Sequence, residues 1–330
     1  MILVLAWRNL WRNPRRTAVL LAAVILGVWS MIVLGALMRG TMNGMVETGI
    51  ATLTGHLQIH ALGYRDDPVV ERFITDPAPA LAALTETLPP GSLWASRVRV
   101  SGIASNARHS TGVTLVGVEP ELEPRISFLG QAVRQGQPLQ VGDDNAILVG
   151  QALLEDFETE LGRKLVLMAQ DTAGEIASRA FVIRGVFRAE FEGTEKSLVF
   201  VTLPAAQSML GLGRGVSEIV ALLPDRAAVP AVTAALAHKL PPDLEVASWR
   251  KLQPLIDVSL DLYDLFLFIW FVVIFIAMGF GIVNTTLMAV LERIREFGLL
   301  KALGMRPRII VAQILAESAL LLALGVAVGN

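Results

Sequence analysis

Two stretches of this chain contain no charged residue, and they constrain its fold more than any other feature. Residues 17–38 hold 22 uncharged positions between Arg16 and Arg39, and residues 265–291 hold 27 between Asp264 and Glu292. A helix needs about 20 mainly apolar residues to cross the hydrocarbon layer of a bilayer. Helices of soluble domains average about 11–12 residues, so both stretches read as membrane spans. A third stretch, residues 309–330, carries one charge, Glu317, and also reads as a span. The first could instead be a cleaved leader, but a leader's apolar core is about 7–15 residues and ends in small residues. Here the run is longer and ends in Leu-Met-Arg-Gly, which reads as an uncleaved helix.

Basic residues orient the spans. Arg8, Arg12, Arg15 and Arg16 precede the first span without an acid among them. Residues 292–308 carry Arg293, Arg295, Lys301, Arg306 and Arg308 against Glu292 and Glu296, whereas residues 40–264 hold 18 basic and 27 acidic residues. Short loops rich in lysine and arginine stay cytoplasmic. The expectation is therefore a multi-pass protein of the inner (plasma) membrane, with a cytoplasmic N-terminus and a large domain outside. Its parts are an interfacial helix (1–16), a first span (17–39), an outer domain (40–260), a second span (262–291), a cytoplasmic loop (292–308) and a third span (309–330). Trp7 and Trp11 share a helical stripe with Leu3 and Leu10, and Arg8 and Arg12 lie off it. That pattern predicts a short helix with its tryptophans at headgroup depth, ended near Asn13 by Pro14.

The outer segment reads as folded α+β structure. GHLQIH alternates Leu57 and Ile59 against His56, Gln58 and His60, a strand with the histidines on its solvated side. Further strands are expected at 111–118, 164–169, 180–188, 197–202 and 216–223. Helices are expected at 76–88 (capped by Asp76), 151–161, 204–211 and 226–240. Two subdomains, about 53–118 and 145–249, are expected. The acids Glu119, Glu121 and Glu123 alternate with prolines and read as a surface loop.

Several chemistries have no motif. There is no cysteine, hence no disulfide, thiolate metal site or thiol nucleophile. A net charge of −2 gives no overall basic character for nucleic acid. No Gly-Lys-Ser/Thr phosphate loop occurs; residues 211–215 lack its lysine and serine. No nucleophile elbow or His-Glu-x-x-His zinc helix occurs either, so no catalytic, cofactor or metal residue is expected. Glu317 stands apart, because a carboxylate inside a span is costly and turns toward the bundle or water. It is expected to pair within the bundle, with proton coupling as the alternative.

The segment IVNTTLMAVLERIREFGLLKALGMRP, residues 282–307, resembles the signature of FtsX-like permeases, a family that includes lipoprotein-releasing and macrolide-exporter-type transporters. The opening LAWRNLWRNPRRT is similar to that family's N-terminal elbow. GHLQIH, LVGVEPE and FEGTEKSLVFVTLPAAQSMLGL resemble the outer domain of its lipoprotein-releasing members. The resemblance implies a type VII ABC permease fold, an α-helical membrane protein with an extracytoplasmic α+β domain. It implies that Glu292, Arg293, Arg295, Glu296, Phe297, Gly298, Leu300, Lys301, Ala302 and Gly304 form a coupling helix seated in a groove of an ATPase dimer. ATP would be bound by that separate subunit. A second permease copy or paralogue, and a periplasmic carrier or membrane-fusion protein, are further implied partners. The family has four spans and this sequence three, so a fourth is expected beyond Asn330. Lipoprotein release is the implied activity; efflux, regulation of a partner outside the cell, and a membrane-anchored binding module are the alternatives. Bottom-up, Ile294, Phe297, Leu300 and Leu303 recur every third residue, a drifting apolar ridge cut by Gly298 and Gly304.

Overall fold

The computed structural model describes residues 2–330. They fall into two compact units, one made of residues up to Met45 together with Val258–Asn330, the other of Val46–Asp257.

The first unit is helical. Ile2–Leu10 forms the elbow helix, and Pro14 opens the helix Pro14–Gly49. Proline suits a first helical position, where its missing N–H would have had no partner. The Thr17 hydroxyl donates to the Leu10 carbonyl at 2.5 Å and closes the turn between the two helices. Pro254–Glu292 is a second long helix, followed by the short linker helix Ile294–Ala302 and by Pro307–Gly329. Three of these helices, at 14–54 (counting the turn that follows Gly49), 254–292 and 307–329, are long and apolar enough to cross a membrane. At 1.5 Å per residue the 36 residues of Pro14–Gly49 measure about 54 Å against a hydrocarbon layer of about 30 Å. The helix therefore runs well past the end of the uncharged stretch. Pro307–Gly329 lies against it so closely that a methyl on Gly325 would sit 2.5 Å from Val24 Cγ1. Small residues permit this approach, on which helix contacts in lipid depend.

The second unit is built on strands β1 (Leu57–Ala61), β2 (Leu93–Ser105), β3 (Ser110–Val118), β4 (Val133–Gly136), β5 (Ala146–Gly150), β6 (Lys164–Gln170), β7 (Ile176–Phe187), β8 (Leu198–Thr202), β9 (Glu218–Leu222) and β10 (Leu244–Ser248). They pair in the order β10-β1-β9-β2-β3-β8-β5-β7-β4, with β6 on β2 and β7. The long strand β2 joins two halves: Leu93–Arg97 pairs with β9, and Gly102–Ser105 pairs with β6. One core gathers Val98, Leu115, Ile147, Phe181 and Val199. Another is centred on Phe187 and Phe200, whose rings meet edge-on at 5.3 Å. The helix Leu203–Leu210 is capped by Thr202, whose hydroxyl accepts from Ala205 N, and stopped by Gly211 at φ 70°.

Four expectations change. The halves of the sheet do not follow a division into 53–118 and 145–249, because β9 and β10 return to flank β1. The helix expected at 151–161 ends at Asp156, and Glu158 turns to φ 46°. His56 and His60 are buried rather than solvated, since β1 is an inner strand whose Leu57, Gln58, Ile59 and His60 are all covered. Glu123 is also buried, and its carboxylate takes two hydrogen bonds from Arg97, at 2.9 and 2.7 Å.

Candidate functional site

The charged string after the second long helix begins with a break at Arg293 (φ −106°, ψ 13°), which lets Ile294–Ala302 set off as a separate helix. Gly304 at φ 88° ends that stretch, in a conformation side chains other than glycine rarely adopt. Pro307 then starts the last helix.

These breaks bring together groups distant in sequence. Arg12 grips the Glu296 carboxylate with both terminal nitrogens, at 2.7 and 3.0 Å. Arg293 Nε donates to the same carboxylate at 3.3 Å, while its Nη1 donates to Glu317 at 3.4 Å. Glu317 also accepts from Asn9 Nδ2 at 2.5 Å and from Gln313 Nε2 at 3.4 Å. Asn9 and Arg12 belong to one short stretch of chain, so the contacts close into a ring: Asn9, Glu317, Arg293, Glu296, Arg12. It ties the elbow, the linker helix and the last helix together. Arg16 adds a looser tie to Glu292 at 3.5 Å. Beside the ring lies a cavity of about 230 Å³ lined by Thr17, Thr286, Phe297, Ser318 and Leu321 among others.

Arg12 holds the Glu296 carboxyl below its ordinary value by hydrogen bonding, and Glu296 in turn raises the Arg12 guanidinium. Both side chains are about half exposed, so water and salt weaken the pair. Arg293 and Glu317 are only 15% and 18% exposed, and their attraction is screened less. The Glu317 carboxylate thus pairs with groups of the helical unit itself.

The linker helix presents its residues unequally. Arg293, Phe297 and Leu300 share its inward side at i, i+4 and i+7, with Arg293 stacked 5.7 Å from the Phe297 ring centre. Arg295, Gly298, Lys301 and Ala302 are exposed. So are Ile294, Leu299 and Leu303, which at 55%, 63% and 76% form the outward apolar surface. The every-third-residue ridge therefore splits: Phe297 and Leu300 turn in, Ile294 and Leu303 turn out, and Leu299, which that ridge did not contain, joins them. The inward spacing was in the sequence, but an arginine at its head hid it. In the elbow, Trp7 and Trp11 meet edge-on at 5.9 Å and are 44% and 54% exposed, with Arg8 exposed beside them.

The ring makes a direct expectation. Arg12→Glu or Glu296→Arg alone puts like charges together and lowers the melting midpoint in detergent slightly, while the double exchange restores most of the loss. A double-mutant cycle without coupling would show that the two groups do not meet.

Residues 17–239 match the family model described as MacB-like periplasmic core domain, and residues 267–330 the one described as FtsX-like permease C-terminal. The lipoprotein-releasing system transmembrane protein LolC of Neisseria meningitidis serogroup B is 24% identical over 304 residues, covering 88% of this chain and 69% of that protein. The LolC of Xylella fastidiosa (strain Temecula1) is 24% identical over 247 residues, 72% of this chain and 59% of that one. The macrolide export ATP-binding/permease protein MacB 1 of Yersinia pestis bv. Antiqua is 22% identical over 347 residues, 99% of this chain and 51% of that protein. The chain thus spans between half and about two thirds of the length of these curated relatives. The periplasmic region of MacB from Actinobacillus actinomycetemcomitans aligns with a TM-score of 0.44 at 15% identity, over 63% of this chain and 94% of that one.

Proposed function

The chain belongs to the ABC permease family with a MacB-like periplasmic core domain and an FtsX-like C-terminal region, and from that premise we propose that it passes the motion of a separate ATPase to its outer domain during lipoprotein release. The observation that carries this is the linker helix. Its Ile294, Leu299 and Leu303 are exposed by more than half, flanked by exposed Arg295 and Lys301. Its other side is tied through Arg293 and Glu296 to the elbow and the last helix. A surface exposed on one side and braced on the other can receive a push and hand it on.

In this reading Ile294, Leu299 and Leu303 enter an ATPase groove, and Arg295 and Lys301 meet acidic groups at its rim. ATP is bound and hydrolysed on that subunit. A second copy or paralogue completes the membrane part, and a carrier outside takes the cargo. The cargo is a lipid-anchored protein of the outer leaflet, supported by the likeness to LolC. Efflux is the second reading, supported by the match of residues 17–239 to the MacB-like domain. Proteoliposomes holding this chain and its ATPase separate the two: release of a triacylated lipoprotein to a soluble carrier supports the first, and ATP-driven loss of a macrolide without lipoprotein release replaces it with the second.

Orientation follows from the same reading. Ser110 and Arg306 are both exposed, and the native chain has no cysteine. Ser110→Cys should react with a membrane-impermeant thiol reagent in intact cells and Arg306→Cys should not. Equal labelling of both would contradict the proposed sidedness.

A further inference from the structure

The helix Pro14–Gly49 does not end in an ordinary cap. It passes into a π-turn, Ile50–Thr54, closed by Gly55, whose N–H donates to Ile50 O at 2.9 Å. Gly55 takes φ 63°, and a methyl there would strike Val220 and lie 3.0 Å from Ala221 O. A helix end leaves carbonyls without partners, and a π-turn is a poor way to satisfy them. Side chains supply the donors here. Gln58 Nε2 donates to Leu53 O at 3.3 Å and Thr54 O at 3.0 Å, and Arg97 Nη1 donates to Leu53 O. Gln253 Nε2 donates to Gly49 O at 3.1 Å and to Thr54 Oγ1 at 2.6 Å.

Gln253 sits where the second long helix starts. Its own N–H donates to Trp249 O at 2.8 Å, and its carbonyl accepts from Asp257 N at 3.2 Å in the first turn of Pro254–Glu292. Trp249 N in turn donates to His56 O, beside β1, at 3.0 Å. The Gly49 carbonyl fixes the orientation of the Gln253 amide, because it can only accept and a flipped amide would point its oxygen at it. Its Oε1 is left buried without a hydrogen-bond partner, a cost accepted for the sake of the other two bonds.

We infer that Gln253 is a positioning residue, a clasp that joins the outer end of the first spanning helix to the start of the second, so that the two deliver their motion to β1 together. The inference rests on the coupling role proposed above. Without the clasp, the π-turn is free to unwind or re-form as helix, and movement of Pro14–Gly49 is absorbed there.

The test uses the full chain with its ATPase in nanodiscs. Spin labels at Ser110→Cys and Asp264→Cys report the distance between the outer domain and the start of the second span, with and without vanadate-trapped nucleotide. The parent should show a nucleotide-linked shift. Gln253→Met, of nearly the same shape but without donors, should lose that shift and lipoprotein release while hydrolysing ATP at the parent's rate. Thr54→Val should follow Gln253→Met, whereas Thr54→Ser, which keeps the accepting hydroxyl, should behave as the parent. This pair decides the matter even if Gln253→Met folds poorly. A Gln253→Met or Thr54→Val chain that shifts and releases as the parent does overturns the clasp alone. Absence of any shift in the parent overturns the coupling reading and the clasp with it.

Discussion

Arg97→Ala should destabilise the outer domain by about 3–5 kcal/mol, the usual effect of removing one partner from a buried ion pair. Arg97 is 0% exposed, and it neutralises Glu123 and Glu218, which are 1% and 2% exposed. It forms a two-pronged contact with Glu123 and reaches Glu218 at 3.3 Å. Removal leaves two carboxylates in a dry interior and deprives Leu53 O of a donor. Burial alone would push the Glu218 carboxyl up, but His60, with Nε2 3.8 Å away, and Arg97 more than offset it and hold it at about 2. A carboxylate with a depressed value stabilises the fold above its ordinary value of 4.5 and loses that contribution as the pH falls through the folded value. Thermal melts of the parent should therefore hold level between neutrality and pH 4.5 as far as this group is concerned, and weaken from there toward 2. An Arg97→Ala domain melting at the parent's temperature at neutral pH would refute the account.

Leu299→Glu should cost at least 2 kcal/mol in ATPase binding, roughly thirty-fold in affinity, if Leu299 fills a groove as apolar anchors do. The chain's own fold should not notice, because the residue is 63% exposed. The contrast is Phe297→Ala, which strips the cavity wall under Arg293 and should loosen the ring, with a smaller effect on binding. A pull-down with the ATPase, together with ATP hydrolysis in nanodiscs, measures both. If Leu299→Glu binds and stimulates the ATPase as the parent does, the outward surface is not the coupler.

The contrast between Phe297 and Leu299 marks how far the sequence could be read. The spans were legible because charge is absent from them, and absence over 20 residues has few explanations in water. Strands such as β3, β6 and β8 were legible as short runs rich in apolar and β-branched residues. What stayed hidden depends on partners far along the chain. Arg97 in mid-strand looks like a surface residue until Glu123 and Glu218, 26 and 121 positions away, come beside it. Glu317 reads as an anomaly until Asn9, 308 residues earlier, donates to it. All of β2 escaped notice, and in its first half Trp94, Ser96 and Arg97 do not alternate by polarity. Gln253 carries no local signal, because a glutamine between two helices is ordinary.

The ring of Asn9, Arg12, Arg293, Glu296 and Glu317 contains two guanidinium groups and two carboxylates, so it carries no net charge as a body. Moving one elementary charge across a membrane potential of 100 mV involves about 2.3 kcal/mol. A lone Glu317 shifted with its helix would tie each stroke to the voltage across the membrane. With the ring moving as one piece, the electrical work on the cations and on the carboxylates cancels. Under the proposed coupling role, a stroke that carried the ring as one piece would leave these four groups indifferent to the voltage.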